Sequence, residues 1–146
     1  MRLTTQTDFA LRTLMFLSVS KGQQTIDAIA RHYDISQNHL MKVVQRLAAS
    51  GFVKSTRGRG GGLILSRPAR EINLGAVVRA MEDVGTFVEC FDAGTSRCVV
   101  DGVCGLKGIL AGGVAAFLAH LDIYTLEDLV PNQKTFKRAL GMSDNM

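Results

Sequence analysis

Apolar side chains recur at helical spacing through the first third of the chain. Residues 7–20 and 26–33 each carry apolar positions three and four residues apart, and residues 36–50 carry a single apolar stripe. Each segment begins at a residue suited to capping a helix, Thr7 or Asp8, Thr25 and Ser36. Gly22 and Gly51 can end the first and third segments. Two helices, a tight turn and a third helix of this character predict a helix-turn-helix.

After residue 51 the pattern changes from helical spacing to alternation. Segments 52–56 and 63–66 each alternate as strands do, and they flank the run Arg57-Gly58-Arg59-Gly60-Gly61-Gly62. Glycine permits positive φ, which a narrow turn needs. The pattern therefore predicts a β-hairpin wing beside the helix-turn-helix.

Helical patterns return in the second half of the chain. Asn73 can cap a helix over residues 74–83, residues 84–103 are irregular, and residues 104–121 carry a broad apolar stripe. Gly108, Gly112 and Gly113 weaken that last helix in isolation. A helix so apolar and so rich in glycine needs a close-packed neighbour, and in a short chain that neighbour can be a second copy.

The patterns together predict a mainly α fold with one small β-hairpin. We divide the chain into a winged helix-turn-helix DNA-binding domain at 1–72, a loop and long helix at 73–133, and a C-terminal tail at 134–146. Thr125 can cap a short helix that ends near Leu129. In the tail, Phe136 and Leu140 are the apolar residues that can pack.

Composition and charge narrow the classes of function. With 47 % apolar and 21 % charged residues the chain can bury a core. It has no apolar run long enough to span a membrane and no signal-peptide core, so we expect a cytoplasmic protein. Residues 1–72 hold 11 Lys and Arg against 4 Asp and Glu, a net of +7, whereas residues 73–146 hold 6 against 9, a net of −3. This asymmetry indicates that only the first half contacts a polyanion.

The third helix and the glycine turn carry the residue types that DNA recognition uses. Amides near a helix N-terminus can pair with base edges, and basic side chains bind phosphates or enter a narrow minor groove. We assign base contacts to Gln37, Asn38 and His39. Phosphate contacts are assigned to Lys42 and Arg46, and minor-groove contacts to Arg57 and Arg59. A winged helix used for protein contacts is the alternative.

The chain's three cysteines, Cys90, Cys98 and Cys104, lie within 15 residues in the pattern C-x7-C-x5-C. An odd number in a reducing compartment argues against a disulfide framework. Thiolates bind iron–sulfur clusters and zinc, but the CxxC pair typical of zinc sites is absent. The spacing leaves open a cluster, a zinc site or redox-active free thiols, with Glu89, Asp92 and Asp101 as nearby candidate ligands.

Four segments together resemble the family of dimeric winged-helix iron–sulfur regulators. They are Met1-Arg2-Leu3-Thr4, Thr7-Asp8-Phe9-Ala10-Leu11-Arg12, Ser36-Gln37-Asn38-His39-Leu40-Met41-Lys42-Val43-Val44 and Arg57-Gly58-Arg59-Gly60-Gly61-Gly62-Leu63. The cysteine triplet and the segment Asp122-Ile123-Tyr124-Thr125-Leu126-Glu127-Asp128-Leu129-Val130 are most similar to its nitric-oxide-sensing branch. The likeness covers residues 1–133.

The resemblance implies a homodimer formed through residues 104–121 and a cluster bound by the three cysteines. In the nitric-oxide-sensing branch the fourth ligand of a [4Fe-4S] cluster can be an aspartate of the partner subunit, and Asp8 matches its position. The alternative for Asp8 is stabilisation of a helix N-terminus. Another branch uses a histidine three residues after the last cysteine. Lys107 stands there in this chain, which counts against the alternative [2Fe-2S] centre.

The function implied is transcriptional repression: a homodimer binds a palindromic operator and is released when nitric oxide nitrosylates the cluster. A sensor of iron, cluster status or redox state in the same family is one alternative, and a zinc-stapled DNA-binding protein is another. The sequence contains no phosphate loop, Ser/His/Asp set or paired-carboxylate motif, so we do not expect an enzyme.

Overall fold

The computed structural model describes residues 2–143, which form six α-helices and one two-stranded antiparallel sheet. The helices are α1 (Thr5–Val19), α2 (Ile26–Tyr33), α3 (Gln37–Ala49), α4 (Leu74–Met81), α5 (Leu106–Leu121) and α6 (Gln133–Ala139). The strands are β1 (Val53–Thr56) and β2 (Gly62–Leu65). The mainly α fold with a small β-hairpin, expected from the sequence, is confirmed.

Helices α1 to α3 and the hairpin enclose the core of the first half. Phe16, Leu14, Ile29, Leu40 and Leu47 are almost completely buried there. Strand β1 pairs with β2 so that Val53 faces Leu65 and Thr56 faces Gly62. Loop residue Gln24 extends this sheet by bridging to Leu63.

Helix α1 begins earlier than its apolar pattern predicts. Thr4 caps it, because the Thr4 hydroxyl accepts a hydrogen bond from the Thr7 amide at 3.3 Å. The expected caps Thr7 and Asp8 lie inside the first turn instead. The Thr7 hydroxyl is buried and donates to Glu82 Oε1 at 2.5 Å, so a residue just beyond α4 fixes the start of α1.

Helix α4 connects the first half of the chain to α5. Arg79 of α4 forms a bidentate ion pair with Asp122, which caps the end of α5, with distances of 2.6 and 2.7 Å. Asn73 caps α4 as expected and also donates to the Asp122 carbonyl at 2.7 Å. A Cβ atom on Gly75 would overlap the Asp122 carboxylate, so the close approach of these two segments requires glycine.

Helix α5 packs on the rest of the chain along one narrow side. Of its 16 residues only Leu118 is buried, and Leu106 and Ile109 are 56 % and 73 % exposed. The other side therefore presents an extensive apolar surface. None of the helices within residues 2–143 is both long and apolar enough to cross a membrane.

The segment after α5 folds back on the first half. A 3-10 turn at Leu126–Leu129 is closed by reciprocal bonds between Thr125 and Asp128, and α6 follows it. Phe136 and Leu140 pack against the core, as expected, and Met142 is buried. Residues 144–146 of the predicted tail lie outside the described part of the chain.

Candidate nucleic-acid interface and cysteine loop

Helix α3 presents polar side chains on the side opposite its buried stripe. Leu40, Val43, Val44 and Leu47 are buried, whereas the five predicted DNA contacts on this helix are all exposed: Gln37, Asn38, His39, Lys42 and Arg46. A step of about 100° per residue places Asn38 and Lys42 furthest from the core. His39 and Lys42 line a shallow cavity with Gln6 and Phe9 of α1.

Arg46 differs from the other four because it contacts α4. Its Nε donates to the Ala80 carbonyl at 2.9 Å, and its Nη1 lies 3.5 Å from Gln6 Oε1. This hydrogen bond ties the recognition helix to the helix that carries the Arg79–Asp122 ion pair. The phosphate contact that the sequence assigns to Arg46 stays a prediction.

The glycine-arginine run forms the exposed tip of the hairpin. Gly58 and Gly60 have φ of 96° and 75°, the left-handed region that favours glycine. Arg57 and Arg59 are exposed, and neither guanidinium makes an ion pair or hydrogen bond with any residue between 2 and 143. Arg57 also lines a groove that runs between α3 and the hairpin. The tip is therefore a narrow projection with two unpaired positive charges.

The cysteines lie on the loop that joins α4 to α5. Cys90 is half-buried in a 3-10 turn at Glu89–Phe91, and Cys98 and Cys104 are exposed; all three are free thiols. Valine side chains beside them are exposed too, with Val99 97 % and Val103 86 % accessible. In the described chain, residues 2–143, no three His, Cys, Asp or Glu side chains converge to hold a metal ion.

The loop's own carboxylates already have partners. Glu89 accepts from the Arg97 amide at 2.7 Å, Asp92 accepts from Thr95 and Gly94, and Asp101 pairs with Lys107 at 3.2 Å. The hydrogen bond from Thr95 holds the pKa of Asp92 below its usual range. The hydrogen bond from Lys107 does the same for the pKa of Asp101. These bonds compete with the use of the three acids as metal ligands.

Asp8 lies in the first turn of α1, where Arg12 holds it. Arg12 Nη2 is 2.8 Å from Asp8 Oδ2, and both side chains are partly exposed. The Arg12 guanidinium also lies 5.9 Å from the ring centres of Phe9 and Tyr33. Burial raises the pKa of Tyr33 to about 12. Asp8 is thus held at the surface by one cation and is accessible to a second molecule.

The donor set fits an iron–sulfur cluster better than it fits zinc. Three soft thiols stand on one exposed loop without a CxxC pair. The role of fourth ligand is open to Asp8 as well as to the loop carboxylates, because all of them already have a partner. Asp8 pairs with Arg12 as Asp101 pairs with Lys107. Asp8 suits that role chemically, since a carboxylate oxygen can ligate iron and this one is accessible.

Glu82 is a site residue that sequence reasoning missed. Its Oε1 accepts hydrogen bonds from the Thr4 amide, the Thr4 hydroxyl and the Thr7 hydroxyl. Burial disfavours the charged form, but these hydrogen bonds and the nearby Arg46 outweigh it and lower the pKa of Glu82. No local signal identifies Glu82, because its partners are 75 and 78 residues away.

Comparison with known proteins adds independent findings. The profile of the family Rrf2, described as "Iron-dependent Transcriptional regulator", matches residues 3–132. The HTH-type transcriptional regulator NsrR of Bacillus subtilis is 47 % identical over 146 residues, 99 % of this chain and 100 % of the relative. The NsrR of Bacillus licheniformis is 41 % identical over 143 residues, 97 % and 100 % of the two chains. The structure of T. potens IscR has a TM-score of 0.70 at 23 % identity, covers 90 % and 87 % of the two chains, and shows a shared fold.

Proposed function

Because the chain belongs to the Rrf2 family of transcriptional regulators, we propose that it is a cluster-dependent repressor that binds palindromic operator DNA as a homodimer. Nitric oxide is the proposed signal, and the cytoplasm is the proposed compartment. The observation that carries the proposal is the pairing, within one chain, of an exposed polar recognition helix with an exposed loop of three free thiols.

Operator binding is supported by the charge and shape of the first half. Asn38 and Lys42 project from α3 on the side away from the core, and Arg57 and Arg59 project from the hairpin without partners in residues 2–143. A helix of this kind enters the major groove, and a slim basic tip suits the neighbouring minor groove. The base, phosphate and minor-groove roles of these residues are part of the proposal.

A dimer is supported by the exposed side of α5. Four small residues, Gly108, Gly112, Ala115 and Ala119, recur there at intervals of four, three and four, and all are exposed. A Cβ atom on Gly108 or Gly112 would meet nothing within 4 Å in this chain. Small residues at this spacing let two helix backbones approach closely, and the apolar side chains beside them need cover from water.

Cys90, Cys98 and Cys104 would hold the cluster, with Asp8 of the partner subunit as fourth ligand. The favoured cluster is [4Fe-4S], with [2Fe-2S] as the alternative. When bound, the cluster supplies iron that nitric oxide attacks. The chain determines which ligand dissociates most easily. A carboxylate is a harder donor than a thiolate and binds iron less strongly, so Asp8 would be the weakest of the four ligands.

The route from Asp8 to the DNA is short. Asp8 sits one residue beyond Thr7, which Glu82 holds against the end of α4. Helix α4 in turn receives the Arg46 side chain of the recognition helix. A displacement of Asp8 would therefore be transmitted to α4, the helix that α3 contacts through Arg46. Changing from mostly bound to mostly free requires roughly 5.5 kcal/mol of differential stabilisation, spread over two subunits.

The deciding experiment measures absorption, Mössbauer spectra and operator binding in parallel on protein purified without oxygen. We expect a brown dimer that releases operator DNA after stoichiometric nitric oxide. Release by iron depletion alone would favour the iron-sensing alternative. A colourless protein with one zinc ion per chain would overturn the cluster assignment.

Two substitutions test the ligands. Cys98→Ala is expected to abolish the cluster, with Val99→Ala as a control that keeps it, because the neighbouring Val99 side chain is almost fully exposed. Asp8→Ala is expected to retain a cluster with an altered spectrum and weaker coupling to DNA. Asp27→Ala is its matched control, because Asp27 also lies in a first helical turn and pairs with an arginine four residues on, at 2.7 Å. A normal cluster in Cys98→Ala would contradict the assignment.

A third substitution tests the dimer. Gly112→Leu places a bulky side chain where this chain has open space, so it leaves the single chain unstrained but prevents close helix approach. We expect sedimentation to show a monomer. A dimer of unchanged affinity would remove this side of α5 from the interface.

A further inference from the structure

Met41 is an apolar side chain exposed in the middle of the recognition helix. It is 45 % accessible, although Leu40 before it and Val43 and Val44 after it are buried. Asn38 precedes it by three residues and Gln45 follows it by four, so the three side chains form one row along α3. Among the residues that the structure describes, neither amide has a hydrogen-bond partner.

The row borders the groove between α3 and the hairpin. Met41 and Gln45 line this groove on the α3 side, and Ser55 and Arg57 line it on the hairpin side. Lys42, the helix residue after Met41, is exposed beside the row. Met41 therefore has two cationic side chains suited to phosphates nearby, Arg57 in the same groove and Lys42 next to it on the helix.

The chemistry of the row matches A·T base pairs within a segment of about four base pairs. An Asn or Gln amide pairs with adenine through its N6 and N7 atoms, whereas an apolar side chain contacts the thymine methyl group in the major groove. From Asn38 to Gln45 the helix rises about 10 Å, at 1.5 Å per residue. Three base-pair steps of about 3.4 Å rise by the same amount.

We propose that Met41 determines specificity by packing on a thymine methyl group in each operator half-site, between adenines read by Asn38 and Gln45. The inference rests on the proposed operator binding and deepens it. A single exposed methionine is otherwise unremarkable on a protein surface, so its place in the row between two unpartnered amides carries the argument.

The test removes the methyl group from the DNA. An operator is first obtained by selection from random duplexes with the full chain purified without oxygen. Each thymine of one half-site is then replaced singly by uracil, which keeps the base pair and deletes the C5-methyl group. We expect one position at which wild-type affinity falls about fourfold, the effect of one buried methyl group.

The variant Met41→Ala completes the cycle. It is expected to bind thymine and uracil operators equally at that position, whereas Lys42→Ala binds both more weakly and keeps the fourfold ratio. Wild-type indifference to every replacement, or an unchanged ratio in Met41→Ala, would overturn the inference while leaving operator binding intact. A selection that enriches no sequence would overturn the proposed function as well.

A different result would indicate that Met41 contacts another protein instead of DNA. If Met41→Ala binds every operator variant as wild type does but fails to regulate in cells, Met41 contacts another protein and the inference is wrong. Thermal unfolding of the variant provides the folding control, and we expect an unchanged midpoint because the side chain is exposed.

Discussion

His32 Nδ1 lies 2.7 Å from the Leu140 carbonyl oxygen, a contact between residues 108 positions apart. A carbonyl oxygen only accepts, so Nδ1 carries the proton and donates it. The same ring packs on Phe16 with centroids 5.2 Å apart. The segment after α5 therefore packs into the core formed by α1 to α3, although the family profile ends at residue 132.

The first prediction concerns the end of that segment. Met142→Ala should lower the free energy of unfolding by about 2 kcal/mol, because Met142 is 6 % exposed and its removal leaves a cavity. Met41→Ala is the matched control, since Met41 is 45 % exposed and should change stability by less than about 0.5 kcal/mol. Urea unfolding at fixed protein concentration measures both. Equal effects would show that the C-terminal segment is not part of the core in solution.

The second prediction concerns Tyr33. Its hydroxyl is buried and, within residues 2–143, has no hydrogen-bond partner. Tyr33→Phe should therefore raise the free energy of unfolding by up to about 1 kcal/mol, because it removes an unsatisfied polar group. Tyr124→Phe, at a ring that is 38 % exposed, should have little effect. A loss of stability in Tyr33→Phe would instead reveal a partner for the hydroxyl, such as a group on the second subunit.

The third prediction separates two basic residues of α3. Lys42→Ala should reduce the slope of log affinity against log salt by about 0.9 for each phosphate that the lysine neutralises. Arg46→Ala should change that slope less, because its Nε is bonded to the Ala80 carbonyl. It should instead lower the free energy of unfolding by about 1 kcal/mol. Equal slope changes would show that Arg46 neutralises a phosphate as Lys42 does, as the sequence predicts.

The fourth prediction concerns acid. The pKa of Glu82 is lower in the folded chain than its ordinary value, because hydrogen bonds from Thr7 and Thr4 outweigh burial. Its stabilising contribution is fully present above the unfolded pKa, about 4.5, and is lost as pH falls through the folded pKa.

Glu82→Gln should therefore be less stable than wild type at pH 7, and the difference should shrink as pH falls below about 4.5. Thermal unfolding from pH 7 to pH 3 measures it. Glu127→Gln is the control, because its exposed carboxylate has no hydrogen-bond partner among residues 2–143, and its curve should follow wild type. A constant difference across this range would contradict the assigned hydrogen bonds.

The fifth prediction concerns the contact between α4 and the end of α5. Gly75→Ala should destabilise the protein by about 1–3 kcal/mol, because its methyl group displaces the Asp122 carboxylate from Arg79. In an Asp122→Ala background the same substitution should cost less, since the carboxylate is gone. Additive losses in the double variant would place the strain elsewhere.

The sequence predicted correctly those helices and strands whose capping residues and apolar pattern lie within one short segment. Helix α2 begins after Thr25, and the hairpin pairs as its alternation predicts. The predicted start of α1 was wrong, because the cap is Thr4, three residues before Thr7 and four before Asp8, and no apolar pattern marks it. Helix α6 was missed because its seven residues contain one large apolar side chain, Phe136. That helix gains its stability from distant contacts such as the one between Leu140 and His32.

The sequence could suggest which residues belong to the candidate site, but not which distant residues they contact. The sequence proposes the three cysteines and the basic tip from local chemistry and spacing, and it proposes Asp8 only through the family resemblance. It does not reveal that Arg46 contacts Ala80 or that Arg79 pairs with Asp122. It also does not reveal that Glu82 accepts a hydrogen bond from Thr7 at the start of α1. These contacts join residues 34 to 75 positions apart, and their geometry depends on the packing of whole helices.

The side chain of Arg46 is hydrogen-bonded to Ala80 of α4, whereas Asn38, Met41 and Gln45 are exposed and their side chains make no hydrogen bond within residues 2–143. Under the proposed role of this row, substitutions in it would alter which promoters are bound without removing the hydrogen bond that holds α3 on α4. Duplicated genes of this kind would then diverge in the promoters that they bind while keeping the same fold.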